Sequence, residues 1–172
     1  MGTGNETLSG WVNFDALWSY DPGETMFFGT YLNGSPAFHN GLSITNLAKF
    51  HTRMDNADWN SYTSPDSPVI SAGTWYYVVS TFNSGVISLY LNGSLVGSTT
   101  QTFARSDGPL FFNRVGDGLW GSRFSDIRMD ELRISNAARP AGWVATEYNN
   151  QNSPSTFYSV GGQQIGSAGA RR

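Results

Sequence analysis

The chain has 172 residues, no cysteine, thirteen acidic and ten basic side chains, and a formal charge of −3. That size suits one domain with one core, and without cysteine neither a disulfide nor a thiolate nucleophile or metal ligand is available. The mild acidity argues against a nucleic-acid partner, and with no apolar run near the roughly 20 residues needed to span a bilayer, membrane insertion is not expected.

Met1 leads directly into the polar "GTGNET", so either the chain has been trimmed or it never passes through a secretion channel. Short alternating runs then recur between turn signals. "TLSGWVNFD" (Thr7–Asp15) and "TMFFGTYL" (Thr25–Leu32) read as strands, followed by "GLSITN" and "AKFHTRMD". In the last of these Phe50, Thr52 and Met54 alternate with His51, Arg53 and Asp55. The polar, proline-bearing "NADWNSYTSPDSP" reads as a loop. "TWYYVVSTF" (Thr74–Phe82) is the strongest strand, rich in β-branched and aromatic residues. "VISLYL" and "SLVGST" flank Asn92-Gly93, and "GPLFFNRVG" and "SDIRMDELRIS" complete the strand set.

The pentapeptide "YLNGS" occurs at Tyr31–Ser35 and again at Tyr90–Ser94. Asn-Gly between alternating runs is a hairpin signal, because both turn residues take positive φ. Both flanks fit at Asn92-Gly93, whereas Pro36 breaks the right flank of Asn33-Gly34. The echo is turn chemistry used twice, since the surrounding residues do not align. One helix is predicted in "RPAGWVATEYNNQ", with Pro140 in its first turn and Val144 and Tyr148 on one face. The polar, glycine-rich segment after it is flexible if left alone.

From Gly73 onward the chain resembles a laminin-G-like domain of the concanavalin A-like lectin/glucanase superfamily, of the kind found in large bacterial surface and secreted proteins. "GTWYYVVSTF" resembles that family's W-x-x-V strand, and "SLYLNGSLVGS" its "LYVNG" hairpin. "VGDGLWGSRFSDIRMDELRISNAAR" resembles its closing loop and "DEVRI" strand. The resemblance implies an all-β jelly-roll β-sandwich of two antiparallel sheets, with one short helix near the C-terminus. Residues 1–161 would form the jelly roll and 162–172 a tail. Relatives usually open with a further strand, so "STFYSVGGQQI" is a candidate to cover the edge left open, in its own chain or in a neighbour's.

The resemblance also admits hydrolases, but the carboxylates argue against one. A glycosidase needs two carboxyls about 5–5.5 Å or 6.5–9.5 Å apart. Asp126 and Asp130 share one face of a predicted strand at roughly 13 Å, with Glu131 on the other. His39 and His51 lack the spacing of a metal or nucleophile motif. No enzyme is expected. Calcium, which such domains often bind through an aspartate and backbone carbonyls, is implied by the resemblance, with Asp130 as first candidate ligand and Asp117 as second.

Aromatic side chains in loops are the candidate platforms for sugar rings. They are Trp18 and Tyr20, Trp59 and Tyr62, and Trp120. His51 and Arg53 could add hydrogen bonds. Trp11, Trp75, Tyr76 and Phe82, being in strands, are expected in the core. The function these residues suggest is a non-catalytic module recognising a glycan or surface protein through rim loops, in an extracellular, cell-surface or virion setting. The alternative is a structural assembly subunit that self-associates or docks a neighbour through its tail.

Overall fold

The computed structural model describes residues 5–17, 24–32, 39–55, 61–101, 110–115, 126–157 and 161. Among them, ten strands precede two helices. The strands are β1 (Glu6–Phe14), β2 (Glu24–Leu32), β3 (His39–Thr45), β4 (Phe50–Asp55), β5 (Ser61–Thr63), β6 (Tyr76–Asn83), β7 (Val86–Leu91), β8 (Ser94–Thr100), β9 (Leu110–Val115) and β10 (Ile127–Ser135). The helices are α1 (Ala141–Asn152) and α2 (Pro154–Phe157). Two five-stranded antiparallel sheets result, ordered β10-β1-β6-β7-β8 and β5-β4-β3-β2-β9. This is the jelly-roll sandwich that the resemblance implies.

Period-2 patterning places Leu8, Val12, Phe14, Leu42, Phe50 and Val78 between the sheets. Phe14, Phe27 and Phe50 meet there with ring centroids 5.7 to 6.0 Å apart. A register shift between Met26 and Phe28 lets the consecutive Phe27 and Phe28 both be buried, as a β-bulge does. Asn92 and Gly93 have φ of 49° and 79°, so the β7–β8 hairpin turns as Asn-Gly requires. Residues 33–38, with the first Asn-Gly, lie outside the described residues.

A second, smaller cluster lies on the outer face of the β10-β1-β6-β7-β8 sheet. There α1 packs Val144, Trp143 and Tyr148 against Trp11, Tyr77, Val79 and Tyr90. Pro140 stands at the N-cap, with φ −70° and ψ 159°, rather than inside the first turn. Its ring fits because the extended N-cap position makes no intrahelical N–H bond. The hairpin turn abuts the helix, since a Cβ on Gly93 would lie 3.0 Å from the Tyr148 ring.

Three expectations are corrected. Part of "NADWNSYTSPDSP" is strand: β5 pairs with β4, and Tyr62 stands opposite Met54 instead of lying in a loop. Backbone pairing along the open side of β4 outweighs the polar composition. Ser155–Phe157, at the start of the segment offered as an added strand, are helical in α2, and the rest of that segment apart from Gly161 lies outside the described residues. Trp75 and Trp11 are not in the core. Trp75 is 41% exposed, and Trp11 is half-buried under α1.

A groove between the closing strand and the helix

Alternation along β1 sends Leu8 and Val12 inward and Thr7, Ser9 and Trp11 outward. Tyr77 and Val79 of β6 face outward under α1, and Trp75, just ahead of that strand, has the same parity. Trp75 is 41% exposed, and the last residues of α1 line the groove it opens into.

On β10 a bulge changes the pattern. Ser9 pairs with Arg133 and Trp11 with Asp130, so Gly10 alone faces both Glu131 and Leu132. Glu131 takes φ 52°, a left-handed conformation uncommon outside glycine. Gly10 provides the room: a Cβ there would lie 2.5 Å from Leu132 Cδ2. Ile127 and Met129 pack toward the core before the bulge, Leu132 and Ile134 after it. Asp130 and Glu131 are therefore both exposed and line the same groove. The expected placement of Glu131 on the opposite face is corrected by that extra residue.

Hydrogen bonds tie α1 to this face. The buried Tyr77 hydroxyl donates to the Glu147 carboxylate, and burial first, then that bond, pushes the phenol well above its ordinary pKa. The Arg133 guanidinium donates to both Glu147 and Glu131. The Trp11 indole N–H donates to the Gln151 side-chain oxygen. The indole planes of Trp11 and the Tyr148 ring stack at 5.8 Å and 28°.

Between β10 and the C-terminal end of α1 these contacts leave a groove of about 460 Å³. Trp75 and Trp11 line one part, Asp130 and Glu131 another, and Asn150, Gln151 and Asn152 a third. Two indoles, three amides and two carboxylates form the set that suits a sugar ring and its hydroxyls.

Of the residues expected to bind ligand, Asp130 lies in this groove. Its Oδ1 accepts the Glu131 N–H at 2.8 Å. Trp18, Tyr20, Trp59, Trp120 and Asp117 lie outside the described residues. His51 is on the other sheet, 7% exposed, with Nδ1 3.4 Å from Asp66 Oδ1. The segment carrying Asp66 runs beside β4, where Ser67 Oγ accepts the Phe50 N–H and Ser64 Oγ the Thr52 N–H. Arg53, on β4 opposite Gly41 and Thr63, is likewise on that sheet. Among the described residues no three His, Asp or Glu side chains converge as a metal centre would need, and Asp130 alone is far short of six to eight oxygens. Residue typing missed Trp75 and the Asn150–Asn152 amides. Their signal was the polar run "NNQN" ending a helix, beside a tryptophan just ahead of a strand.

A family described as the concanavalin A-like lectin/glucanases superfamily matches residues 1–145. The chain belongs to that family. Asn150–Asn152 lie past the matched segment. No curated protein sequence matches the chain. Among solved structures, Trypanosoma rangeli sialidase in complex with the inhibitor DANA is similar at TM-score 0.68 and 17% identity, over 88% of this chain and 23% of that one. The binding domain of Paraclostridial Mosquitocidal Protein 1 is similar at TM-score 0.65 and 16% identity, over 88% and 38%. The native heptameric SAP-like pentraxin from Limulus polyphemus is similar at 0.62 and 14%, over 86% and 72%. The chain thus spans about a quarter of the sialidase, and these likenesses concern fold.

Proposed function

We propose that the protein is a non-catalytic module that binds a glycan in the groove between β10 and α1. One observation carries this reading: the exposed Trp75 indole lies beside Trp11, Asp130 and the Asn150, Gln151 and Asn152 side chains in one groove. A sugar presents C–H faces, which pack on an indole, and hydroxyls, which pair with amides and carboxylates. β1 holds Trp11, the residue ahead of β6 is Trp75, β10 holds the acidic groups, and α1 holds the amides.

The carboxylates support binding rather than hydrolysis. Asp130 and Glu131 are consecutive, and Glu131 is bridged to Arg133. They do not flank a bond from opposite sides, as glycosidic acid and base must. A glycan-binding role places the module where glycans are displayed, at a cell or virion surface.

The test is an array of neutral and acidic oligosaccharides probed with wild type and Trp75→Ala. The reading expects retention of at least one glycan class by wild type and its loss in the variant, with the same far-ultraviolet spectrum. A silent array, together with a chain that self-associates in sedimentation, would transfer the case to an assembly subunit.

A further inference from the structure

The space between β10 and α1 has a second end. Beyond the Glu131–Arg133–Glu147 bridge, a groove of about 590 Å³ runs past Ser9, Ser135 and Asn136 to Arg139 and Trp143. Its lining contains two arginines and no carboxylate, whereas the first groove has two carboxylates and no cation. Both Arg133 nitrogens that reach carboxylates are engaged, one with Glu131 and one with Glu147. Arg139 differs: among the described residues no carboxylate pairs with it, and its Nε is buried without a hydrogen-bond acceptor.

A guanidinium carries five donors in one plane. Arg139 lies over the Trp143 ring with Cζ 4.8 Å from the centroid, which uses a π-face and leaves the in-plane donors for a planar or tetrahedral anion. Its backbone is fixed as well, because the Arg139 N–H donates to Thr7 Oγ1 at 2.9 Å while that hydroxyl donates to the Ala137 carbonyl. A buried donor without a partner is costly, and an oxyanion held by the other guanidinium donors at the groove would offset part of that cost. Serine hydroxyls and the exposed Asn136 amide add uncharged donors around the same space.

We propose that this second groove is an anion subsite that takes a carboxylate or sulfate group through Arg139. The subsite stands apart from the Trp75 groove and does not depend on it. Two sources share the chemistry, a free inorganic oxyanion and the acidic group of a saccharide.

The test is a ¹H–¹⁵N titration of the full chain with sodium sulfate, glucuronate and glucose, following the Arg139 Nε–H and the backbone signals of 135–139. Sulfate and glucuronate are expected to shift these signals saturably, and glucose to leave them unchanged. Affinity at least tenfold higher for glucuronate than for sulfate assigns the subsite to an acidic saccharide. Equal affinities assign it to the oxyanion alone. Arg139→Gln should weaken binding at least tenfold, and Asn136→Asp, which keeps Arg139 but adds a negative charge at an exposed position, should do the same. Trp75→Ala should have no effect on sulfate. The inference is overturned if neither anion moves the Arg139 signal at 50-fold excess or so, or if Asn136→Asp binds as wild type does.

Discussion

The indole N–H of Trp11 on β1 donates to the side-chain oxygen of Gln151 on α1, 140 residues away in sequence. That bond joins the last turn of the helix to the sheet and fixes both walls of the Trp75 groove. The groove is thus a product of helix docking, and perturbing the docking should perturb binding.

Gln151→Ala should lower stability by about 1 kcal/mol, the usual net worth of such a bond, and weaken glycan retention more than Asn152→Ala does. Thermal unfolding and the array give the two readouts. Equal binding by Gln151→Ala and wild type would separate the groove from the docking.

Trp75→Ala should cost under about 1 kcal/mol of stability, because the side chain is 41% exposed and surface changes are small. Trp11→Ala, which strips a ring stacked on Tyr148 and tilted against Tyr77, should cost about 3 kcal/mol. Similar unfolding midpoints for the two variants would contradict these placements.

Tyr77 sets an alkaline limit. Its phenol keeps its proton in the folded chain far above the ordinary value of 10.0, so the folded state binds a proton that the unfolded state releases. Stability is fully present below pH 10 or so and falls as pH rises beyond it. Tyr77→Phe should be less stable at pH 7 by about 1–3 kcal/mol, through the loss of a buried bond to a carboxylate, yet show a flatter decline at high pH. A parallel decline in both proteins would contradict this.

Gly93→Ala combines an unfavourable φ of 79° with a Cβ 3.0 Å from Tyr148. It should cost about 2 kcal/mol and loosen α1, seen as faster amide exchange across 144–151. Unchanged exchange there would show that the hairpin does not brace the helix.

Binding in the Trp75 groove should persist in EDTA. Asp130 Oδ1 is engaged by the Glu131 N–H and Glu131 by Arg133, and among the described residues no three His, Asp or Glu side chains converge. Loss of binding in EDTA, restored by calcium, would instead give Asp130 the ligand role its place in the closing strand implies.

The sandwich was legible because its determinants are local. Alternation in "VISLYL" and "SLVGST" around Asn92-Gly93 defines a hairpin without further context, and the spacing of Val144 and Tyr148 defines a buried helix face. The groove was legible only in part. Parity assigns Trp75 to the face of Tyr77 and Val79, but whether that face is covered depends on where a distant helix stops. Glu131 changes side through a bulge that depends on Gly10, a residue on another strand. His51 alternates as an outward residue, yet the segment around Asp66 buries it. A three-residue strand such as β5 is too short for any period to show.

The most direct measurement of the central claim is a ¹H–¹⁵N titration of the tryptophan indole signals with the oligosaccharide best retained on the array. The account predicts saturable shifts at Trp75 and Trp11 and in the backbone at 130–131 and 150–152, with 50–54 unmoved. Shifts centred on 50–54, with the Trp75 and Trp11 indoles unchanged, would contradict it.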